Sequence, residues 1–218
     1  MKKKYCLLTV ILFTLSSCIQ STEDKIDDLI EGHIKTCLYV PDSYESVATR
    51  IDSAFTPYCD PAFHEKLLEL SKYSERVSEL EVNIKTEEWE ISSAKSSMAI
   101  WSDGYSATAR HEYKEAKNKL SVHEKKIQEY INDKNDIVNK GKILYQTILK
   151  ESKGSRHFIG YQVNHRYRAE NNSGQKLLGD VFYVFNKDLS EILLVYDIDS
   201  DDYIVVEELI KQIKDESI

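Results

Sequence analysis

The chain has 218 residues, 41% of them hydrophobic and 30% charged, with 37 acidic against 29 basic side chains and a formal net charge of −8. That length suits one domain with an elongated accessory part, and the acidic balance disfavours nucleic acid or an anionic bilayer as a partner. No GxSxG, phosphate loop, GxGxxG, HExxH or CxxC motif is present, so no nucleophile–base pair or cofactor cradle can be named and the reading is non-enzymatic.

The first element is a leader. Lys2, Lys3 and Lys4 precede an apolar run from Tyr5 to Leu15, which is signal-peptide length and too short for a bilayer, where about 20 apolar residues are needed. Leu15-Ser16-Ser17-Cys18 resembles a bacterial lipobox, in which Cys18 is acylated and becomes the first residue of the mature chain. Acyl chains, palmitate among them, would anchor the protein stably in a membrane leaflet, at about 0.8 kcal/mol per buried CH₂. Loss of residues 1–17 removes three lysines, leaving 26 basic against 37 acidic residues, a net charge of −11. Ile19 does not resemble the aspartate of inner-membrane retention, which favours the outer membrane. Ser21-Thr22-Glu23-Asp24 resembles the acidic stretch that sends some lipoproteins to the cell surface. Cys37 and Cys59 remain after processing, and an even pair in an oxidising compartment suggests a disulfide worth about 3 kcal/mol.

Residues 18–38 read as a lipidated tether or a short helix, and 39–218 as a single α+β domain. One strand is expected near Glu45 to Phe55. Pro61, with Asp60 placed to cap it, opens a long helix. Phe63, Leu70, Val77, Ile84, Ile91 and Met98 recur every seven residues, and three positions after each come Lys66, Tyr73, Leu80, Glu87, Ala94 and Trp101. This is a coiled-coil seam with charged flanks. Ser102-Asp103-Gly104 breaks it. A second seam then follows, with Tyr113, Leu120, Ile127 and Ile148 in one row and Ala109, Ala116, Tyr130, Ile137 and Leu144 in the other. Lys134, Gly141 and His123 interrupt those rows. The two helices form an antiparallel hairpin over about 61–152, unless Asn132 to Asp136 splits the second. Trp89 off the seam, with Trp101 and Tyr105 near the tip, are candidate contacts for a protein partner; the tip pair could equally cap the coil.

After Gly154 the period changes to two. Ile159 to Tyr167, Leu177 to Phe185 and Glu191 to Tyr196 read as strands separated by turns at Asn171–Gly174 and Asn186–Asp188, an antiparallel meander. A helix over Tyr203 to Ile213 closes the α+β unit of about 156–214. His165, Arg166 and Arg168 form a polar cluster on the first of these strands that could hold an anionic or glycan ligand; strand alternation, sending neighbours to opposite faces, is the competing reading. Asp197, Asp199, Asp201 and Glu208 occupy positions 1, 3, 5 and 12 of a calcium-loop pattern, but Asp202 stands where glycine is needed. The same segment reads as an acidic turn in which Asp201 or Asp202 caps the last helix.

"DSAFT" (52–56) together with "FIGYQVNHRYRAENNSG…FYVFNKDLSEI" (158–192) resembles a group of small uncharacterised Gram-negative lipoproteins, in which an extended segment, a helical insert and a Gly-aromatic hairpin with H-x-[YF]-R follow each other. The resemblance covers about a third of the chain. It implies a lipoprotein of α+β fold and no particular activity. The function expected is an outer-membrane or surface lipoprotein that binds a protein partner through its hairpin; the alternative is a small-ligand-binding protein that uses the sheet.

Overall fold

A computed structural model describes residues 20–216. The leader and Cys18 lie outside the described residues. The elements, in chain order, are α1 (Thr22–Cys37), a short 3-10 turn (Pro41–Ser43), β1 (Glu45–Phe55), α2 (Pro61–Trp101), α3 (Ala107–Ser152), β2 (Phe158–Glu170), β3 (Lys176–Asn186), β4 (Ile192–Asp197) and α4 (Asp201–Glu216). The protein is α+β, with an antiparallel helical hairpin inserted between the first two strands of an antiparallel sheet. Where one domain over 39–218 is expected, the chain gathers into two compact units. The first comprises the N-terminal part to Cys59 with His157–Tyr203, the second Asp60–Arg156 with Ile204–Ile218.

In the first unit the strands lie in the order β1-β2-β3-β4, each antiparallel to its neighbour. Asn171 closes the β2–β3 turn through its side-chain oxygen, which accepts from Ser173 N at 2.9 Å and Gln175 N at 3.0 Å. Asn186 does the same for the next turn, accepting from Ser190 N at 2.9 Å. The long-stretch alternation of β3 puts Tyr183 and Phe185 on one face and Phe182 and Val184 on the other. Ile26, Ile30 and Ile34 recur every four residues, a single stripe along α1, and join Val163, Tyr183 and Phe185 in one buried cluster. Ala54, Cys59, Phe182 and Val184 make the second cluster.

Of the two readings of 18–38, tether or short helix, the described part forms the helix, over Thr22–Cys37. Ser21 and Asp24 form a capping box: Ser21 Oγ accepts from Asp24 N at 3.1 Å, and Asp24 Oδ2 accepts from Ser21 N at 3.2 Å. Glu23 and Asp24 also lie in the first turn, where the helix dipole favours negative charge. The acidic stretch thus has a local role as a helix start.

In the second unit Asp60 accepts from Ala62 N at 2.9 Å, and Pro61 occupies the first turn of α2, where its missing N–H costs nothing. Ser106 caps α3 by accepting from Ala109 N at 3.0 Å. The run Asn132–Asp136 does not break α3, which is continuous over 46 residues. Cross-helix pairs fix the antiparallel register: Lys66 meets Glu151 at 2.5 Å, Glu81 meets Lys134 at 2.6 Å, and Glu87 meets His123 at 2.5 Å. As the position on α2 advances, its partner on α3 recedes. Leu80, Glu87 and Ala94 of α2 are buried, as are Ala109, Ala116 and Ile148 of α3. Val206, Ile210 and Ile213 form the buried stripe of α4.

Candidate functional site

The hairpin carries the largest exposed apolar side chains of interest. Trp89 is 67% exposed, and Val82, seven residues earlier, is exposed beside it along the helix. Both lie on the outer side of α2, five positions after Val77 and Ile84 of the seam, so the helical period points them away from α3. At the tip, Ile100 and Trp101 are exposed and Tyr105 is 99% exposed. Trp101 continues the seam spacing and borders a small hollow with Ala94 and Ala116 of the two helices; α2 ends there, and Ser102 Oγ folds back to donate to Ala99 O at 2.9 Å. A wholly exposed Tyr105 caps nothing. Val82 and Ile100 belong with the aromatic residues, and a heptad count does not find them because it looks only along the seam.

The cluster expected at His165, Arg166 and Arg168 is divided by the sheet. His165 is buried with Tyr44 and Tyr167, at ring-centroid distances of 6.1 and 6.2 Å. Arg166 and Arg168 are exposed on the opposite face. Period-two alternation is the reason. Arg166 Nε is held by Asp180 Oδ1 at 2.7 Å across the β2–β3 pair, and the other arginine, Arg168, stands opposite Glu45 in the β1–β2 register.

Around His165 the hydrogen bonds have one consistent direction. Thr49 Oγ1 donates to Asp27 Oδ1 at 3.1 Å. Its single proton is thereby used, so at 3.0 Å it accepts from His165 Nδ1–H. The other ring nitrogen is then bare, and accepts from Tyr44 Oη at 3.0 Å. That chain needs a neutral imidazole, and burial pushes the His165 pKa below its ordinary value. Burial raises the Tyr44 phenol, which suits it as a donor. Every polar atom of the histidine is satisfied within the fold. His165 therefore fastens β1 and α1 to the sheet and has no bond left for a ligand.

The acidic segment after β4 is a turn. Asp197 Oδ1 accepts from Asp199 N at 2.9 Å, and Ser200 Oγ accepts from Tyr203 N at 3.3 Å. Ser200, not Asp201 or Asp202, is the cap of α4. Asp201 opens that helix and Glu208 lies seven residues on, nearly two turns, so the loop that would wrap a cation is helical instead. Among the described residues no three His, Cys, Asp or Glu side chains converge on a metal position.

Cys37 and Cys59 are not joined. Cys37 is exposed at the end of α1, the helix that covers the Tyr183 face. Cys59 is buried in the cluster on the Phe182 face, and its thiol donates to Gln162 Oε1 at 3.4 Å. The sheet stands between the two sulfurs, which a disulfide cannot bridge. Spacing in the sequence gives no sign of this, because the separating strand and the helix are assigned only by packing.

The chain matches no protein-family model, no curated protein and no solved structure. Function has to be argued from its own residues.

Proposed function

We propose that the chain is a lipoprotein, acylated at Cys18 after removal of residues 1–17 and anchored in the outer membrane, and that its helical hairpin is a non-enzymatic protein-binding module. The carrying observation is the exposed row of Val82, Trp89, Ile100 and Tyr105 on a hairpin whose helices run 41 and 46 residues. Aromatic side chains are the residues that dominate contact energy in protein interfaces. The anchor reading is supported by the lipobox and by its distance from the fold: two residues, Ile19 and Gln20, separate Cys18 from the cap of α1. The alternative of a small anionic ligand on the sheet is left with Arg168, because Asp180 occupies Arg166 and His165 faces the other way.

Two experiments test the two halves. Metabolic labelling with an alkyne-bearing palmitate should mark the chain, and Cys18→Ala should abolish the label. Replacing Trp89 and Tyr105 together by serine should remove a detergent-stable complex of the protein in membranes while its melting temperature stays unchanged. A complex that survives that replacement would remove the hairpin aromatic residues from the account.

A further inference from the structure

Gly141 lies in the interior of α3, where glycine costs about 1 kcal/mol against alanine. Neither the backbone nor the packing asks for it. A Cβ at Gly141 would touch only Tyr73 Cβ and Cδ2 at 3.8 Å, which is ordinary contact. The glycine instead borders an open cleft of about 600 Å³ within the second unit, formed by α2, α3 and α4. Leu70 and Val77 line it from α2, Ile137 and Val138 from α3, Val205 and Leu209 from α4. Its volume lies in the range of small-molecule sites, about 300–1,000 Å³, and its wall is predominantly apolar. A large side chain at 141 would intrude on it.

The cleft has one charged lining group among the described residues, beside the neutral Ser71, Ser74, Ser78 and Gln212. Glu208 lines it, and no lysine or arginine does so among the described residues. The two tyrosines of the wall each donate to a carboxylate, Tyr73 to Glu69 and Tyr145 to Glu216, the latter at 2.5 Å. Those carboxylates hold both phenols in the neutral, protonated form. A carboxylate or phosphate headgroup would therefore meet like charge, whereas a cation would find Glu208, with the carboxylates bonded to the two tyrosines nearby.

We infer that the cleft of α2, α3 and α4 binds a small amphiphile with an apolar body and a cationic head, the chemistry of an alkyl or aryl amine. The site is separate from the hairpin tip and does not rest on the partner-binding reading, so either can fail alone.

The test is photolabelling of the full chain in its membrane with a diazirine-bearing octylamine, followed by mapping of the labelled peptides. Saturable label is expected in 70–78, 137–145 and 205–212, displaced at about tenfold lower concentration by octylamine than by octanoate. Gly141→Leu should push into the cleft beside Tyr73 and abolish the saturable label. Ser74→Trp closes the same space from the exposed side of α2 and serves if the leucine variant does not fold; melting temperature identifies which variants are folded. Label that does not saturate, that persists in a folded cleft-filling variant, or that octanoate displaces as well as octylamine would overturn the proposal.

Discussion

Glu87 of α2 and His123 of α3 face each other across the middle of the hairpin, with Glu87 Oε2 and His123 Nδ1 2.5 Å apart and Lys126 Nζ 3.6 Å from Glu87 Oε1. In the sequence these are two unrelated flaws, a glutamate in one apolar row and a histidine in another. In space they are one polar contact. Such a contact matches only in the antiparallel in-register pairing, so it specifies that pairing against slipped ones, within a chain or between chains.

Removing one partner should therefore cost less stability than it costs specificity. Glu87 is nearly inaccessible, but only two helices flank it and water stays close, so Glu87→Ala should lower hairpin stability by about 1 kcal/mol. The paired change Glu87→Leu with His123→Leu should restore or raise the melting temperature and allow self-association. Sedimentation of the variants, compared with the native chain, measures both effects.

Acid should act on the same contact. The hydrogen bond from His123 holds the Glu87 carboxyl below its ordinary value of 4.5. Its contribution is then present above pH 4.5 and is lost as pH falls through the lower folded value. Glu87→Gln should flatten that acid-side loss in a pH series of thermal melts.

His165 has the opposite origin and a different window. Its folded pKa lies below the ordinary 6.5, so below that pH the unfolded chain binds a proton that the folded sheet does not. Stability of the first unit should be full above pH 6.5 and decline as pH falls below it. His165→Phe should remove this dependence, and should cost about 2 kcal/mol at pH 8 because Tyr44 and Thr49 lose their partner. Denaturant melts at pH 5.5 and 8 separate the two effects.

Two glycines should respond with opposite signs. Gly160 has φ +153°, and a Cβ there would fall 1.9 Å from the Phe185 carbonyl oxygen. Gly160→Ala should destabilise the first unit by about 3 kcal/mol. Gly141→Ala has room and a helical backbone, and should stabilise the second unit by about 1 kcal/mol. Calorimetry on the two variants reads both.

The thiols offer a direct check of the sheet. Cys37 should react with iodoacetamide in the native protein, and Cys59 only as the first unit unfolds. Peptide mass mapping before and after denaturant distinguishes this from a Cys37–Cys59 disulfide, which would protect both.

What the sequence disclosed follows from where a single period governs. The seam from Phe63 to Met98 and the alternation of β2 each repeat long enough to define an element, and Asp60-Pro61 marks a helix start by local chemistry alone. α1 is harder to see because Ile26, Ile30 and Ile34 are only three residues in an acidic background, and their stripe matters only once a sheet is there to receive it. The site expectations failed where they needed a third dimension. His165 and Arg166 are adjacent in sequence and opposite in space, while Glu87 and His123 are 36 residues apart and in contact. The cleft beside Gly141 draws on three helices, and an interrupted heptad is its one trace in the sequence.

The most direct measurement of the central claim is site-specific photocrosslinking in living cells. A photoreactive amino acid is placed at Trp89 and at Tyr105 of the hairpin and, as a control, at Val47, an exposed apolar position of β1. Partner binding through the hairpin predicts a discrete adduct to a second protein from 89 and 105, absent from 47 and lost when Ile100→Ser is added. No adduct from the hairpin, or equal adducts from β1, would contradict it.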